Sequence, residues 1–307
     1  MLARLTDERF DDPDWIFEPK LDGIRVIAVR DGDDVLLASR TEKSMNATYP
    51  ELVDAVAGLA PDRLVFDGEI VAFSGDRTSF ERLQGRMGIQ DPTKALRTGI
   101  AIYCYAFDLL HVDGHDLTRL PLRTRKSILR DAVEFTDPLR FSTHRNGDGR
   151  EFFDAACSKG WEGLIAKRAS STYRPGSRSR DWQKWKCIRE QEVVVGGFTE
   201  PKGSRVGFGA LLVGYYEDGE LRYAGKVGTG WDDATLQRMR ERLDGLEREE
   251  SPFADPVKEK GAHWVAPELV AEVAFTEWTE DLKLRHPRYL GLRDDKEPED
   301  VVREVPG

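Results

Sequence analysis

A lysine, a turn and a second cation follow one another in Lys20-Leu21-Asp22-Gly23-Ile24-Arg25, a combination that can make an amine into a nucleophile. A lysine amine titrates at about pH 10.4 in water and attacks poorly at neutral pH, but nearby cations or a dry pocket favour its neutral form. Residues 15–20 alternate as a strand does, and residues 24–29 are β-branched and apolar. Asp22-Gly23 is therefore expected to join two strands, Gly23 supplying dihedrals closed to other residues and Lys20 standing at a strand end. Alone, the stretch also fits a surface lysine and arginine beside an ordinary turn.

Two further clusters carry charge in patterns that suit a nucleotide. Asp67-Gly68-Glu69 closes the β-rich run Leu64-Val65-Phe66, and Glu162-Gly163 opens another, Leu164-Ile165-Ala166-Lys167. Carboxylates that converge from two strand ends can hold a hard divalent cation, which fills its remaining coordination with water and phosphate oxygens. In Trp182-Gln183-Lys184-Trp185-Lys186 the lysines alternate with other residues, so a strand would put Lys184 and Lys186 on one face and Gln183 and Trp185 on the other. Paired ammonium groups suit a polyphosphate; each cluster singly also fits a commonplace turn or edge strand.

The formal net charge of −10 would, as an average, argue against a nucleic-acid partner. Locally the balance reverses. Residues 167–189 hold eight cations (Lys167, Arg168, Arg174, Arg178, Arg180, Lys184, Lys186 and Arg189) against Asp181 alone, interleaved with Tyr173, Trp182 and Trp185. Arg119, Arg123, Arg125, Lys126 and Arg130 form a second block, expected either to meet phosphate or to be a solvated helix face. Cys104, Cys157 and Cys187 show neither paired nor metal-ligand spacing and are expected to be packing residues, with no disulfide and no zinc.

The elements that must position these groups are of mixed type. Strand-like runs at residues 64–73, 100–109 and 163–168 are separated by helix-like stretches at 50–59, 120–133 and 150–159. No GxGxxG follows a strand, so the class expected is α+β, antiparallel sheets with helices, and not a dinucleotide-binding fold. After residues 189–191 come strand-like runs at 193–198, 210–216 and 220–227, a helical stretch at 233–246 and a strand at 270–278. That order is expected of an OB-fold β-barrel. The expected domains are residues 1–189 and 190–307, with an irregular loop at 247–261. With 39% hydrophobic and 33% charged residues over 307 positions, no apolar run near 18 residues and a polar opening, the chain is expected to be globular and cytoplasmic, with neither membrane span nor export signal.

In chain order, Lys20-Leu21-Asp22-Gly23-Ile24-Arg25, Ser39-Arg40-Thr41, Phe66-Asp67-Gly68-Glu69, Tyr105-Ala106-Phe107-Asp108-Leu109-Leu110, Glu162-Gly163-Leu164-Ile165-Ala166-Lys167 and Trp185-Lys186 resemble motifs I, Ia, III, IIIa, IV and V of the ATP-dependent DNA ligases. Residues 285–296 resemble motif VI, at the far end of the OB domain in that family. Motif I begins about twenty residues in, so the helical DNA-binding domain of large eukaryotic ligases is not expected here. The chain is similar to the ligase module of bacterial non-homologous end-joining ligases, whose look the stretch Phe10 to Lys20 also has.

The resemblance implies a nucleotidyltransferase (adenylation) domain followed by an OB domain, with ATP and Mg²⁺ or Mn²⁺ as cofactors and nicked duplex DNA as partner. Lys20 would take AMP from ATP, pass it to the 5′-phosphate of a nick, and the 3′-hydroxyl would then seal the strand. Glu18 and Phe107 would read and stack on adenine, and Arg25, Arg40 and Glu69 would lie near the ribose or phosphates. Glu69 and Glu162 would serve the metal, and Lys167, Lys184 and Lys186 the phosphates. Arg293, Asp294 and Lys296 would orient pyrophosphate after a domain closure hinged at residues 187–191. Loops at 202–209 and 247–261 would add DNA contacts. The protein would act as a monomer at the nucleoid in repair or end joining, with further end-joining proteins or modules as partners and no membrane. An mRNA guanylyltransferase, an RNA ligase and a catalytically silent DNA-end-binding module are the competing readings.

Overall fold

The alternation at residues 15–20 belongs to a strand, Asp12–Lys20, and the β-branched run to its successor, Ile24–Asp31. In the computed structural model, residues 1–201, 203 and 205–305 are described. Lys202, at the head of one expected DNA-contact loop, lies outside them.

Two compact units divide the chain between Cys187 and Ile188. The first contains two sheets. The smaller runs in the order Leu2–Leu5, Arg178–Lys186, Gly163–Arg168, Asp12–Lys20, Arg145–Gly147. It buries Trp15, Phe17, Leu164, Ala166 and Trp185 against Phe152, Phe153 and Ala156 of the helix Gly149–Ser158. The larger sheet orders Asp34–Ala38, Ile24–Asp31, Arg63–Ser74, Ile102–Val112 and His115–Asp116, with Leu139–Phe141 running parallel to Ile102–Val112. Its core face carries Val26, Ala28, Phe66, Ile70, Cys104 and Ala106.

The helix Leu122–Ala132 packs on the Ile102–Val112 strand with an unusual buried stripe: Leu122, Arg125, Lys126 and Leu129. The second basic block is thus divided between an exposed part and a buried one. Arg119, Arg123 and Arg130 are exposed. Arg125 and Lys126 turn inward because buried carboxylates wait for them there, which a count of charges along the chain cannot register.

The second unit, Ile188–Glu304, holds the antiparallel meander Arg189–Thr199, Leu211–Glu217 and Glu220–Val227, then the helix Asp233–Asp244 and the long strand Ala262–Phe275, which also pairs with Arg288–Leu292. Val193, Val195, Phe198, Leu212, Val213, Ala271 and Val273 fill its core. The order is the one expected of an OB barrel. No helix among the described residues is long and apolar enough to cross a membrane.

One expectation fails outright. Cys157 and Cys187 form a disulfide, their Cα atoms 5.4 Å apart, and Cys104 is the free, buried thiol. The pair's separation of 30 positions carries no spacing signal; the bond follows from packing, which brings the last turn of the Gly149–Ser158 helix to the end of the Arg178–Lys186 strand.

Candidate active site

Three strands of the smaller sheet lay the candidate residues out in rows. Lys20 pairs across to Gly163 and Gly163 to Lys186; Glu18 pairs to Ile165 and Ile165 to Lys184; Ile16 pairs to Lys167 and Lys167 to Trp182. Since side chains alternate in direction along a strand, Lys20, Glu18, Lys167, Lys184 and Lys186 share one face. Trp185, Phe17 and Leu164 take the other face and go into the core, as the alternation at residues 182–186 implied.

The larger sheet presents its own row, Arg25 opposite Glu69 and Glu69 opposite Tyr105, with Phe107 two residues further on the same face. The two faces enclose a cavity of about 140 Å³ whose lining includes Glu18, Lys20, Arg25, Glu69, Phe107, Ser142, Lys167 and Trp182. Arg40 is not part of that lining; it sits in the turn after the Asp34–Ala38 strand.

Two glycines make the convergence possible. Gly163 has φ +151° and a Cβ there would lie 1.8 Å from the Trp185 carbonyl oxygen, so only glycine lets the central strand lie between the Lys20 and Lys186 strands. Gly23 was expected to serve a turn with special dihedrals. Its role is instead room, because a Cβ would lie 2.2 Å from the Ile70 carbonyl oxygen. Asp22 fixes the same turn by accepting the Phe80 amide at 2.9 Å, while its own amide donates to Thr78 Oγ1 at 3.0 Å.

Lys20 makes an ion pair with Glu162, the residue just before Gly163. Its side chain keeps 19% of its surface exposed, against 2% for Lys167, so a ligand can reach it. Arg25 donates to Asp67 through Nε at 2.9 Å, and Tyr173 donates its hydroxyl to the same carboxylate at 2.7 Å. Burial and the Asp67 charge together push the Tyr173 phenol up, so it stays a donor.

Glu18 is the most heavily held group of the site. Its Oε2 accepts from Lys167 Nζ at 2.8 Å and Ser142 Oγ at 3.2 Å, and its Oε1 lies 2.6 Å from Lys126 Nζ. Burial opposes ionisation of this carboxyl, but the two ammonium groups outweigh it and hold Glu18 below the usual carboxylate range. Burial likewise pulls Lys167 down, against the pull of Glu18. Lys167 also lies over two rings, 4.1 Å from the Phe107 centroid and 4.3 Å from that of Trp182. Glu69 lines the cavity and Glu162 does not; each carboxylate is an oxygen donor of the kind a hard divalent ion takes while leaving most of its shell to water and phosphate.

In the second unit Arg293 is held between two buried carboxylates, Asp295, bonded through Nε and Nη2 at 2.9 Å each, and Glu272 at 3.0 Å. Asp294 instead pairs with Arg242 at the surface, 3.1 Å away, and Lys296 meets Glu192 at 2.7 Å. Sequence reasoning singled out Asp294; of the adjacent aspartates, Asp295 is the one set against the arginine. It named Asp67 only within the Asp-Gly-Glu run and Lys126 only within the second basic block, giving neither a role of its own, and nothing local marks Ser142.

Both units of the chain have matches among known proteins. A model of the ATP dependent DNA ligase domain matches residues 1–186, and one of the ATP dependent DNA ligase C terminal region matches residues 204–296. The multifunctional non-homologous end joining DNA repair protein LigD of Mycobacterium tuberculosis is 39% identical over 295 residues, covering 94% of this chain and 37% of that protein. The corresponding Pseudomonas aeruginosa protein is 39% identical over 302 residues, covering 95% and 35%. A DNA ligase of Thermococcus fumicolans is 33% identical over 303 residues, covering 93% and 53%. The chain thus spans roughly a third to a half of the length of these relatives. Among solved structures, a mycobacterial DNA ligase D complexed with ATP and MES superposes with a TM-score of 0.67 at 35% identity, covering 99% of this chain and 98% of that one.

Proposed function

The chain belongs to the ATP-dependent DNA ligases, and on that premise we propose that it seals nicks in duplex DNA through an adenylate carried on Lys20, in the end-joining repair for which its LigD relatives are named. The observation that carries this reading is the position of Lys20. Its amine stands at a strand end, on the lining of a 140 Å³ cavity, on one sheet face with Glu18, Lys167, Lys184 and Lys186.

The chemistry runs in three displacements at phosphorus. Lys20 Nζ attacks the α-phosphorus of ATP, forming a P–N bond as the P–O bond to pyrophosphate breaks. An oxygen of the DNA 5′-phosphate then attacks the same phosphorus and returns the amine of Lys20. Finally the 3′-hydroxyl attacks the 5′-phosphorus and AMP leaves. An amine attacks only through a free lone pair, so Lys20 must be neutral for the first step. Phe107 offers a ring face to the adenine, Glu18 an acceptor to its edge, and Arg25, Arg40 and Glu69 act near the ribose or phosphates, Arg40 from a turn outside the cavity lining. Lys167, on the cavity wall, and Lys184 and Lys186, along the strand face, balance phosphate charge, since nucleotidyl transfer depends mainly on positioning and charge neutralisation. Glu69 and Glu162 would hold a magnesium or manganese ion, which when bound would neutralise charge on the leaving pyrophosphate. Arg293, Asp294 and Lys296 serve the first step only, through a movement of the second unit about residues 187–191. The working form is a monomer in the bacterial cytoplasm, acting on nucleoid DNA beside other end-joining proteins or modules.

Mass spectrometry of the protein with and without ATP and magnesium tests the reading. One AMP on the peptide containing Lys20, absent in Lys20→Ala, supports it. Label from GTP in place of ATP would indicate a guanylyltransferase, and nick binding with no adduct would indicate a silent end-binding module.

A further inference from the structure

The residue that controls Glu18 lies outside the cavity. Lys126 comes from the middle of the Leu122–Ala132 helix and is 2% exposed. An ammonium has three donors. Lys126 Nζ sits 2.6 Å from Glu18 Oε1, 2.9 Å from the Ser142 carbonyl oxygen and 3.4 Å from the Phe107 carbonyl oxygen. Those three partners belong to three different segments of the cavity wall. Lys126 therefore gathers the acceptor, the ring-bearing strand and the segment that supplies the Ser142 hydroxyl around one buried charge.

The arrangement leaves Glu18 with a directional vacancy. A carboxylate can accept at about four lone-pair positions. On Oε2 both are spoken for, by Lys167 and Ser142. Oε1 is buried and meets Lys126 Nζ at 2.6 Å, which fills at most one of its two positions and leaves the other open. A ligand donor is what that oxygen can still take. The 6-amino group of a purine is such a donor, whereas a 6-oxo group would bring a second acceptor against a fixed negative charge.

We propose that Lys126 is a positioning residue that presents Glu18 Oε1 to the 6-amino group of the nucleotide, so that preference for 6-aminopurine triphosphates depends on a helix lining no part of the cavity. This rests on the ligase reading and extends it to the source of base selection. Loss of the Lys126 charge would let Glu18 turn wholly onto Lys167, withdrawing the acceptor without touching Lys20 or the phosphate-facing lysines.

The test compares adduct formation on the full chain with ATP and with purine riboside 5′-triphosphate, which lacks the 6-amino group, across wild type, Lys126→Met, Lys126→Gln and Lys126→Met combined with Glu18→Gln. A site built to bond a polar group discriminates strongly against its absence. Expected are a wild-type preference for ATP of about tenfold or more and a fall of that ratio toward one in Lys126→Met, carried by KM with kcat changed less than about threefold. Lys126→Gln, which keeps a donor, should lie between, and adding Glu18→Gln to Lys126→Met should lower the ratio no further. A merely structural lysine would lower activity toward both nucleotides alike; an unchanged ratio in folded Lys126→Met and Lys126→Gln overturns the proposal. If Lys126→Met does not fold, Lys126→Gln decides the matter by the same ratio. A wild-type chain that forms no Lys20 adduct with either nucleotide would instead overturn the ligase reading, and this proposal with it.

Discussion

Arg125 and Asp108 meet through two parallel hydrogen bonds of 2.7 Å, with both side chains fully buried. Asp108 immediately follows Phe107, so this pair pins the strand that carries a ring of the cavity to the helix that carries Lys126. Arg125 also donates to the carbonyl oxygens of Leu120 at 2.6 Å and Ser171 at 2.9 Å. Removing one partner of such a pair strands the other charge in a dry interior.

Arg125→Met should therefore cost about 3–5 kcal/mol of unfolding free energy, whereas replacing Arg125 and Asp108 together by apolar residues of matched volume should cost clearly less. Urea titrations of the three proteins measure both. Equal losses would mean that the arginine matters only as a filler of space.

Lys20→Ala should abolish adduct formation and cost about 1–3 kcal/mol of stability besides, because Glu162, 8% exposed, loses its Lys20 cation. Mass spectrometry reads the first effect and thermal unfolding the second. Given a pre-adenylylated nick, the variant should still form the phosphodiester, since the last displacement does not use the lysine.

Lys296→Ala should lose self-adenylylation yet retain sealing of a pre-adenylylated nick, and Arg293→Ala should follow the same pattern with a stability loss in addition. The difference comes from burial. Removing Arg293 leaves Asp295 and Glu272 without their shared hydrogen-bonded cation, while Lys296 meets Glu192 at a less buried contact. Equal loss of both reactions in Lys296→Ala would count against a role confined to the first step.

Acid should unfold the protein in a predictable window. Burial works against ionisation of Glu18 and of Asp295, yet Lys126 and Lys167 for the first, and Arg293 for the second, hold both carboxyls below their ordinary values. A depressed carboxyl stabilises fully above its unfolded pKa, about 3.9 to 4.3, and loses that contribution as pH falls through the folded value. Stability should thus be flat on this account from neutral pH down to about 5 and decline below about 4. Asp295→Asn should flatten the decline in chemical denaturation followed against pH, and an unaltered slope would exclude Asp295 as a source.

Gly163→Ala should cost more than 2 kcal/mol, on the order of a severe backbone clash, because its Cβ would strike the Trp185 carbonyl from a backbone that side chains rarely adopt. Adduct formation should fall with it, as the strand separating Lys20 from Lys186 is displaced.

The legible part of this molecule was local. Lys20, Asp22 and Gly23 are contiguous, Lys184 and Lys186 alternate within one strand, and the meander of the second unit announces itself through short apolar runs, so pattern alone placed them. Partnership across the fold was not legible. Arg125 and Lys126 look like a solvated basic run until Asp108 and Glu18, 17 and 108 positions earlier in the chain respectively, are brought under the helix. Cys157 and Cys187 were read as lone thiols for the same reason. The adjacent Asp294 and Asp295 differ only in which way the chain turns after Arg288–Leu292, and Gly23 was credited with a dihedral when its neighbour Ile70 demanded the missing methyl.

The charged stripe of the Leu122–Ala132 helix sets a limit on redesign. Buried ion pairs can often be exchanged for hydrocarbon with a gain in ruggedness, and a protein engineer seeking a hardier enzyme would be drawn to Arg125, Asp108, Lys126 and Glu18 as a quartet to be greased. The first two could go at modest risk. The second two supply an instrument as well as a rivet, so heat tolerance won there would be taken from the power to tell one base from another.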